Sequence, residues 1–195
     1  MKMKRIISKI LILCMVVLLC ACGKEEGYVS SNGKGTRDNP YQLGDKIEFK
    51  AQLSRYEDYG EPSGIGLDVA ITFNESYYDN DVENLFLEND IILSGLEPKQ
   101  LLNFTVTVDG DYDESIYAED LFFVSGLTED LKEDEVGGTL LDDELEGITD
   151  IYTGVDYSLY RELGDSGDED IYKYATITFE DMNNEQHTIW IDITQ

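Results

Sequence analysis

From Lys46 to Ser54 apolar and polar side chains alternate without interruption. Ile47, Phe49, Ala51 and Leu53 fall on one side, Lys46, Glu48, Lys50, Gln52 and Ser54 on the other. A repeat of two is that of a strand with one buried face. The pattern returns with Ile65, Leu67, Val69, Ile71 and Phe73 against Gly66, Asp68, Ala70, Thr72 and Asn74, and with Leu102, Phe104, Val106 and Val108 against Asn103, Thr105 and Thr107. The C-terminal third predicts strands over Val155 to Leu163, Tyr172 to Glu180 and His187 to Thr194, the last with Ile189, Ile191 and Ile193 on one side. Between the last two lies Asp181-Met182-Asn183-Asn184-Glu185, a polar turn sequence that predicts a hairpin. Leu85 to Ser94 and Ile116 to Ser125 are shorter apolar runs that predict further strands. Glu129 to Gly147, with Gly137-Gly138 and dense acids, predicts a solvated loop with one helical turn around Leu131. Short strands separated by turn signals, without a long helical repeat, predict an all-β fold: an antiparallel sandwich.

The start of the chain follows another logic. Met1 to Arg5 is basic, and Ile10 to Ala21 is an unbroken apolar run. This is the layout of a signal peptide. The run is shorter than the ~20 apolar residues that a spanning helix needs, and it stops at Gly23-Lys24-Glu25. At its end stands Leu19-Cys20-Ala21-Cys22, which resembles the bacterial lipobox: an aliphatic residue, two small ones, then a cysteine. The resemblance implies cleavage before Cys22, a diacylglyceryl thioether on that cysteine, and a lipid anchor at the extracytoplasmic face of the cell membrane. Cys20 does not fit the same pattern, since bulky Leu19 would precede the cut.

Cleavage there divides the chain into a signal peptide (1–21), a lipidated N-terminus and flexible linker (22–39) and a β-sandwich domain (40–195). Gly, Ser, Asn, Lys and Thr dominate Gly23 to Asn39 and give the linker little to bury. Cys14 and Cys20 leave with the signal, so no disulfide can form within the mature chain. The 173 residues after Cys22 must therefore stabilise themselves by burial, and they suffice for one sizeable core. Loss of Lys2, Lys4, Arg5 and Lys9 takes the formal net charge from −28 to −32. Such a field repels nucleic acid and anionic lipid and attracts cations and basic surfaces. Thirteen tyrosines and many β-branched residues distinguish the chain from an acidic disordered one.

Before the first strand, Gly35-Thr36-Arg37-Asp38-Asn39-Pro40-Tyr41-Gln42-Leu43-Gly44-Asp45 resembles the opening segment of small lipoproteins from Gram-positive bacteria whose exported domain is immunoglobulin-like (telokin-like). About a dozen residues carry the resemblance. It implies the fold and the location and no particular ligand. A physical reading of the segment is structural: Asn39-Pro40 forces extended or turn backbone, and Leu43-Gly44 makes the corner that feeds the first strand.

Catalytic chemistry finds little support. Lipidated Cys22 is no nucleophile. His187, the single histidine, precedes the last strand at the end of a turn, where an exposed or hydrogen-bonded structural role is expected. A zinc site would need several His or Cys, so none is expected, and no phosphate-binding glycine loop is present. With 42 acids, pairs of carboxylates suited to glycoside hydrolysis carry no information. No cofactor is implied.

Two features bear on binding. Asp109, Asp111 and Asp113 follow a strand and alternate as in a Ca²⁺ loop, although Glu114 stands where an EF-hand has glycine; a solvated hairpin has the same pattern. Asp165-Ser166-Gly167-Asp168-Glu169-Asp170 is a second such turn. Tyr56, Tyr59, Tyr77 and Tyr78 lie near strand ends, where tyrosines make contacts with proteins or sugars or simply pack. The expectation is a non-catalytic, membrane-anchored surface module that binds a protein, peptide or cell-wall partner and no nucleic acid. The alternative is an accessory lipoprotein that binds a cation such as Ca²⁺, or a solute, through its acidic loops; a hydrolase, resting only on the abundance of carboxylates, comes third.

Overall fold

The structure, a computed structural model, describes residues 33–54, 62–78, 80–88, 100–129, 140–164 and 171–194. Cys22, Tyr56, Tyr59 and the acidic turn 165–170 lie outside the described residues.

The alternating runs are strands in the expected phase: β1 (Tyr41–Gln42), β2 (Lys46–Ser54), β3 (Pro62–Tyr78), β4 (Gln100–Asp109), β5 (Ile116–Tyr117), β6 (Phe123–Thr128), β7 (Leu140–Leu141), β8 (Asp150–Ile151), β9 (Asp156–Leu163), β10 (Tyr172–Glu180) and β11 (Gln186–Asp192). One sheet runs β2-β3-β4-β9-β7 and a second β1-β11-β10-β6, with β5 and β8 forming a small ribbon. All pairs are antiparallel except β1 with β11. Without the ribbon, β3, β4, β6, β7, β9, β10 and β11 stand in the order of strands A to G of an immunoglobulin-like sandwich, with sheets ABED and CFG. Strand β2 extends the first sheet beyond β3, and β1 extends the second beyond β11.

One core fills the space between the sheets. Ile47, Phe49 and Ala51 of β2, Leu67 to Phe73 of β3 at alternate positions, and Phe104 and Val106 of β4 meet Ala175, Ile177 and Phe179 of β10 and Ile189 and Ile191 of β11. Burying each large apolar side chain is worth about 1.5–3 kcal/mol. Phe49 and Phe179 stack with ring centroids 4.2 Å apart.

A second, smaller core lies apart from it. Helix α1 (Asn80–Glu88) places Val82, Leu85 and Phe86 at helical spacing, and they pack with Leu101, Leu141, Leu145, Tyr77 and Tyr160. Asp81 and Glu83 in its first turn suit the helix dipole. The strand expected over Leu85 to Ser94 is therefore corrected as far as the structure describes it: Leu85 to Glu88 end the helix, and the rest lies outside the described residues. The run from Ile116 to Ser125 is likewise not one strand, because a 3-10 turn (Ala118–Asp120) parts β5 from β6.

The solvated loop expected over Glu129 to Gly147 is also corrected in its second half. Leu140, Leu141 and Leu145 are buried, and β7 pairs with β9. Asp142 Oδ1 accepts the N–H groups of Glu144 and Glu146 at 3.0 and 2.9 Å and closes a turn around Leu145, whose φ is +60°. The acids face water while the leucines pack, a division that composition alone conceals.

Residues 33–39, expected as the end of the linker, are tied to the sandwich. Gly35 accepts a hydrogen bond from Trp190 N–H at 3.0 Å, and Asn39 Nδ2 donates to the Gly33 carbonyl at 2.8 Å. Lys34 Nζ lies 2.6 Å from Asp45 Oδ2. That ion pair, together with the Gln42 N–H, holds the Asp45 carboxyl below its ordinary range. Gly44, with φ +86°, turns the corner and donates its N–H to the Phe73 carbonyl at 2.7 Å. Among the described residues no helix is long and apolar enough to cross a membrane.

Candidate functional site

The segment between β5 and β6 builds one wall of a cleft at the end of the sandwich. Ala118, Leu121 and Phe122 are buried and act as anchors. The N–H groups of Leu121 and Phe122 both donate to the Ala118 carbonyl at 3.1 Å, which winds the backbone into a 3-10 turn. With the apolar residues turned inward, Glu119 and Asp120 are carried to the rim. The opposite wall comes from the end of β2 (Gln52, Ser54), the end of β10 (Thr178, Phe179, Glu180) and the start of β11 (Gln186). The cleft is open to solvent and offers a volume of about 330 Å³.

Charge is distributed unevenly around this cleft. Arg161 lies on β9 between the core residues Leu159 and Leu163, and its side chain is only 2 % exposed. Its guanidinium stands over the Phe123 ring, 4.8 Å from the centroid, and Nη1 donates to Glu119 Oε1 at 3.4 Å. Tyr117 donates its hydroxyl to the other Glu119 oxygen at 3.2 Å. Glu119 is thus held by a cation and a phenol. Asp120 and Glu180 have no ion-pair partner among the described residues. Burial, and then the neighbouring Glu119, raise the Asp120 carboxyl above its ordinary value. Such a group gains from a positive charge brought to it, because the same ligand relieves both desolvation and repulsion.

The β10–β11 turn closes the neighbouring corner. Asn184, at φ +62°, accepts from Gln52 Nε2 through its Oδ1 at 3.1 Å. A Cβ on Gly66 would lie 2.5 Å from Met182 Sδ, so the missing side chain leaves room for this residue. The turn thereby clasps β2 and β3 of the opposite sheet. Beside it, at the start of β11, His187 Nε2 stands 3.0 Å from Asp181 Oδ2, and the His187 ring lies against Phe179.

The residues singled out from sequence are placed as follows. Tyr77 is half-buried in the smaller core against Tyr160 and donates to Glu75 at 2.9 Å; burial and that carboxylate push its phenol up to about 12. The Tyr78 hydroxyl donates to the Ile193 carbonyl at 3.4 Å. Asp109, Asp111 and Asp113 are exposed around the exit of β4. They are not among the residues whose ligand atoms gather within metal-binding distance; among the described residues those are Asp181, Glu185 and His187. His187 is hydrogen-bonded as expected, but it stands inside β11, paired with Phe179, and not before the strand.

Glu119, Asp120 and Glu180 were not legible as a group. The one local signal was a pair of acids interrupting the apolar run Ile116 to Val124, which marks a break that turns carboxylates outward from an anchored backbone. No protein-family model matches this chain, and no curated protein or solved structure matches it either.

Proposed function

We propose that the protein is an exported lipoprotein, held at the extracytoplasmic face of the cell membrane by lipid on Cys22, whose sandwich binds a positively charged group of a protein, peptide or cell-wall partner. The reading is of binding without turnover. The observation that carries it is the cleft between β2, the 3-10 turn and the β10–β11 hairpin, where Asp120 and Glu180 face a space of about 330 Å³ without a cationic partner among the described residues. A cleft at the end of a sandwich, built from strand ends and connections, is where such folds carry recognition.

The anchor is supported by the basic start, the apolar run to Ala21, the small residues before Cys22, and the resemblance of residues 35–45 to the opening of anchored immunoglobulin-like domains. Two acyl chains would supply the holding energy, at ~0.8 kcal/mol per buried CH₂. An acidic domain gains nothing from an anionic membrane surface.

Two measurements test the two halves. Cells expressing the chain or its Cys22→Ser variant are fractionated after labelling with a radioactive fatty acid. Label in the membrane fraction for the first and none for the second is expected; label on the variant would overturn the anchor. For the cleft, trilysine is titrated into the ¹⁵N-labelled chain. Saturable shifts around residues 119–123 and 178–186, lost when Asp120→Asn and Glu180→Gln are combined, are expected. Shifts spread evenly over the acidic surface and unaffected by the double variant would overturn the binding reading.

A further inference from the structure

The β10–β11 turn gathers a set of donors distinct from the cleft carboxylates. Asp181, Glu185 and His187 each present one ligand atom, and these atoms all lie within 4.8 Å of one another. Backbone holds the set in place. Asp181 Oδ1 accepts the N–H groups of Asn183 and Glu185 at 2.8 and 3.0 Å, and Asp181 N–H donates to the Glu185 carbonyl at 2.9 Å. His187 is fixed from its other side by the Phe179 ring, with centroids 5.3 Å apart. Asp181 and His187 are half-buried while Glu185 is exposed, so the group opens to solvent.

We propose that this turn binds one divalent transition ion of the borderline class represented by Zn²⁺, through His187 Nε2, Asp181 Oδ2 and a carboxylate oxygen of Glu185, with water completing the shell. The donor set decides the class. Ca²⁺ and Mg²⁺ take oxygen ligands, six or more of them for Ca²⁺, whereas one imidazole with two carboxylates suits Zn²⁺ and its neighbours. The spacing agrees. Donors ~2.0–2.1 Å from a tetrahedral ion stand about 3.3 Å from each other, and Nε2 and Oδ2 already lie 3.0 Å apart. Exposed Glu185 closes the third position by rotation about its side-chain bonds. The ion replaces the proton shared between Nε2 and Oδ2; in the neutral ring that proton moves to Nδ1, and from the imidazolium it is released to solvent.

An ion bound here fastens the turn that clasps β2 through Asn184 and Gln52, so binding couples directly to the docking of the two sheets. The site uses neither Asp120 nor Glu180, the carboxylates assigned to trilysine, so the variants that test the two sites differ and this proposal stands or falls separately from the proposed function.

The test is calorimetric titration of the full chain, in detergent micelles, with Zn²⁺ at about 0.15 M NaCl, where the Debye length of about 8 Å screens diffuse attraction. One ion per chain is expected, undisturbed by excess Mg²⁺. Affinity should fall by at least about tenfold in His187→Gln and in Glu185→Gln, since even outer-shell partners of a metal contribute that much. Gln at 187 retains a donor for Asp181, and position 185 is exposed, so both variants are expected to melt as the parent does without metal. If His187→Gln melts lower, Glu185→Gln alone decides. Absence of saturable binding, or equal affinity in parent and Glu185→Gln, would overturn the proposal.

Discussion

The side-chain amide of Gln100 exchanges two hydrogen bonds with the backbone of Tyr172, donating from Nε2 to its carbonyl at 3.2 Å and accepting its N–H at 3.1 Å. Gln100 begins β4 in one sheet and Tyr172 begins β10 in the other, so a side chain acts where no strand bridges the two. The same Nε2 donates to Ser76 at 2.8 Å, and Gln100 is 1 % exposed. Gln100→Leu keeps the volume and removes all three bonds from a buried place. With a cost of about 1–3 kcal/mol for a buried polar group deprived of a bond, a loss of about 2–4 kcal/mol is expected. Urea denaturation should show a lower midpoint at unchanged slope.

Phe49 and Phe179 supply the corresponding apolar link between sheets. Phe179→Ala should cost about 3–5 kcal/mol, the range for a large buried aromatic. Leu87, 59 % exposed on α1, is the control: Leu87→Ser should change stability by no more than about 0.5 kcal/mol. Thermal melts of both variants check the contrast.

Two glycines separate a rigid close approach from a yielding one. A Cβ on Gly126 would stand 2.8 Å from Tyr172 Cδ1 and 3.0 Å from Leu163 Cδ2, both in buried residues that cannot withdraw. Gly126→Ala should cost about 1–3 kcal/mol by overpacking. At Gly66 the nearest atoms belong to Met182, 42 % exposed, and to the end of Lys50. Gly66→Ala should be the milder change, with denaturation midpoints as the measure.

Asp181 sets an acid limit on the hairpin. The hydrogen bond from His187, followed by that from the Glu185 N–H, holds its carboxyl below the usual carboxylate range. A carboxyl that ionises more readily in the folded chain binds fewer protons there, so its stabilisation is present above the unfolded value of about 4 and is lost as pH falls through the native one. Asp181→Asn should melt below the parent at neutral pH, and the gap should close in acid. A gap independent of pH would assign the effect to packing.

Asp120 has the opposite sign. Its carboxyl is raised by burial and by Glu119, so the ionised form costs the folded state above the native value, and the cost disappears as pH falls below the unfolded value of about 4. Asp120→Asn should therefore raise the melting temperature at neutral pH and have no advantage in strong acid. Solvent screening at this partly exposed position keeps the gain below about 1 kcal/mol.

The alternation of side chains by itself determined the strands and their phase. Ile47 to Leu53, Leu67 to Phe73, and Ile189 to Ile193 bury the faces that their spacing required, because in a strand the direction of each side chain is a local property of the backbone. The hairpin at Asp181 to Glu185 and the corner at Gly44 were legible for the same reason: turn chemistry acts over a few residues. What covers a face is not local. Asn103 lies on the expected polar side of β4 and is 8 % exposed, with its amide engaged by Asn74, Ser158 and the Leu159 carbonyl. Arg161 falls in the apolar phase of β9 and is accepted there because Phe123 and Glu119, about forty positions earlier, meet its guanidinium.

The binding features divide along the same line. Asp181, Glu185 and His187 are neighbours in sequence, but only the register that pairs Phe179 with His187 turns the imidazole toward the carboxylate. The cleft draws Gln52, Asp120 and Glu180 from three separate segments, and none of them has a pattern of its own. Their meeting was decided by the packing of one sheet on the other. A periodicity records which side of a strand is dry, whereas the identity of the opposing surface depends on contacts between distant parts of the chain, and those exist only once the two sheets have met.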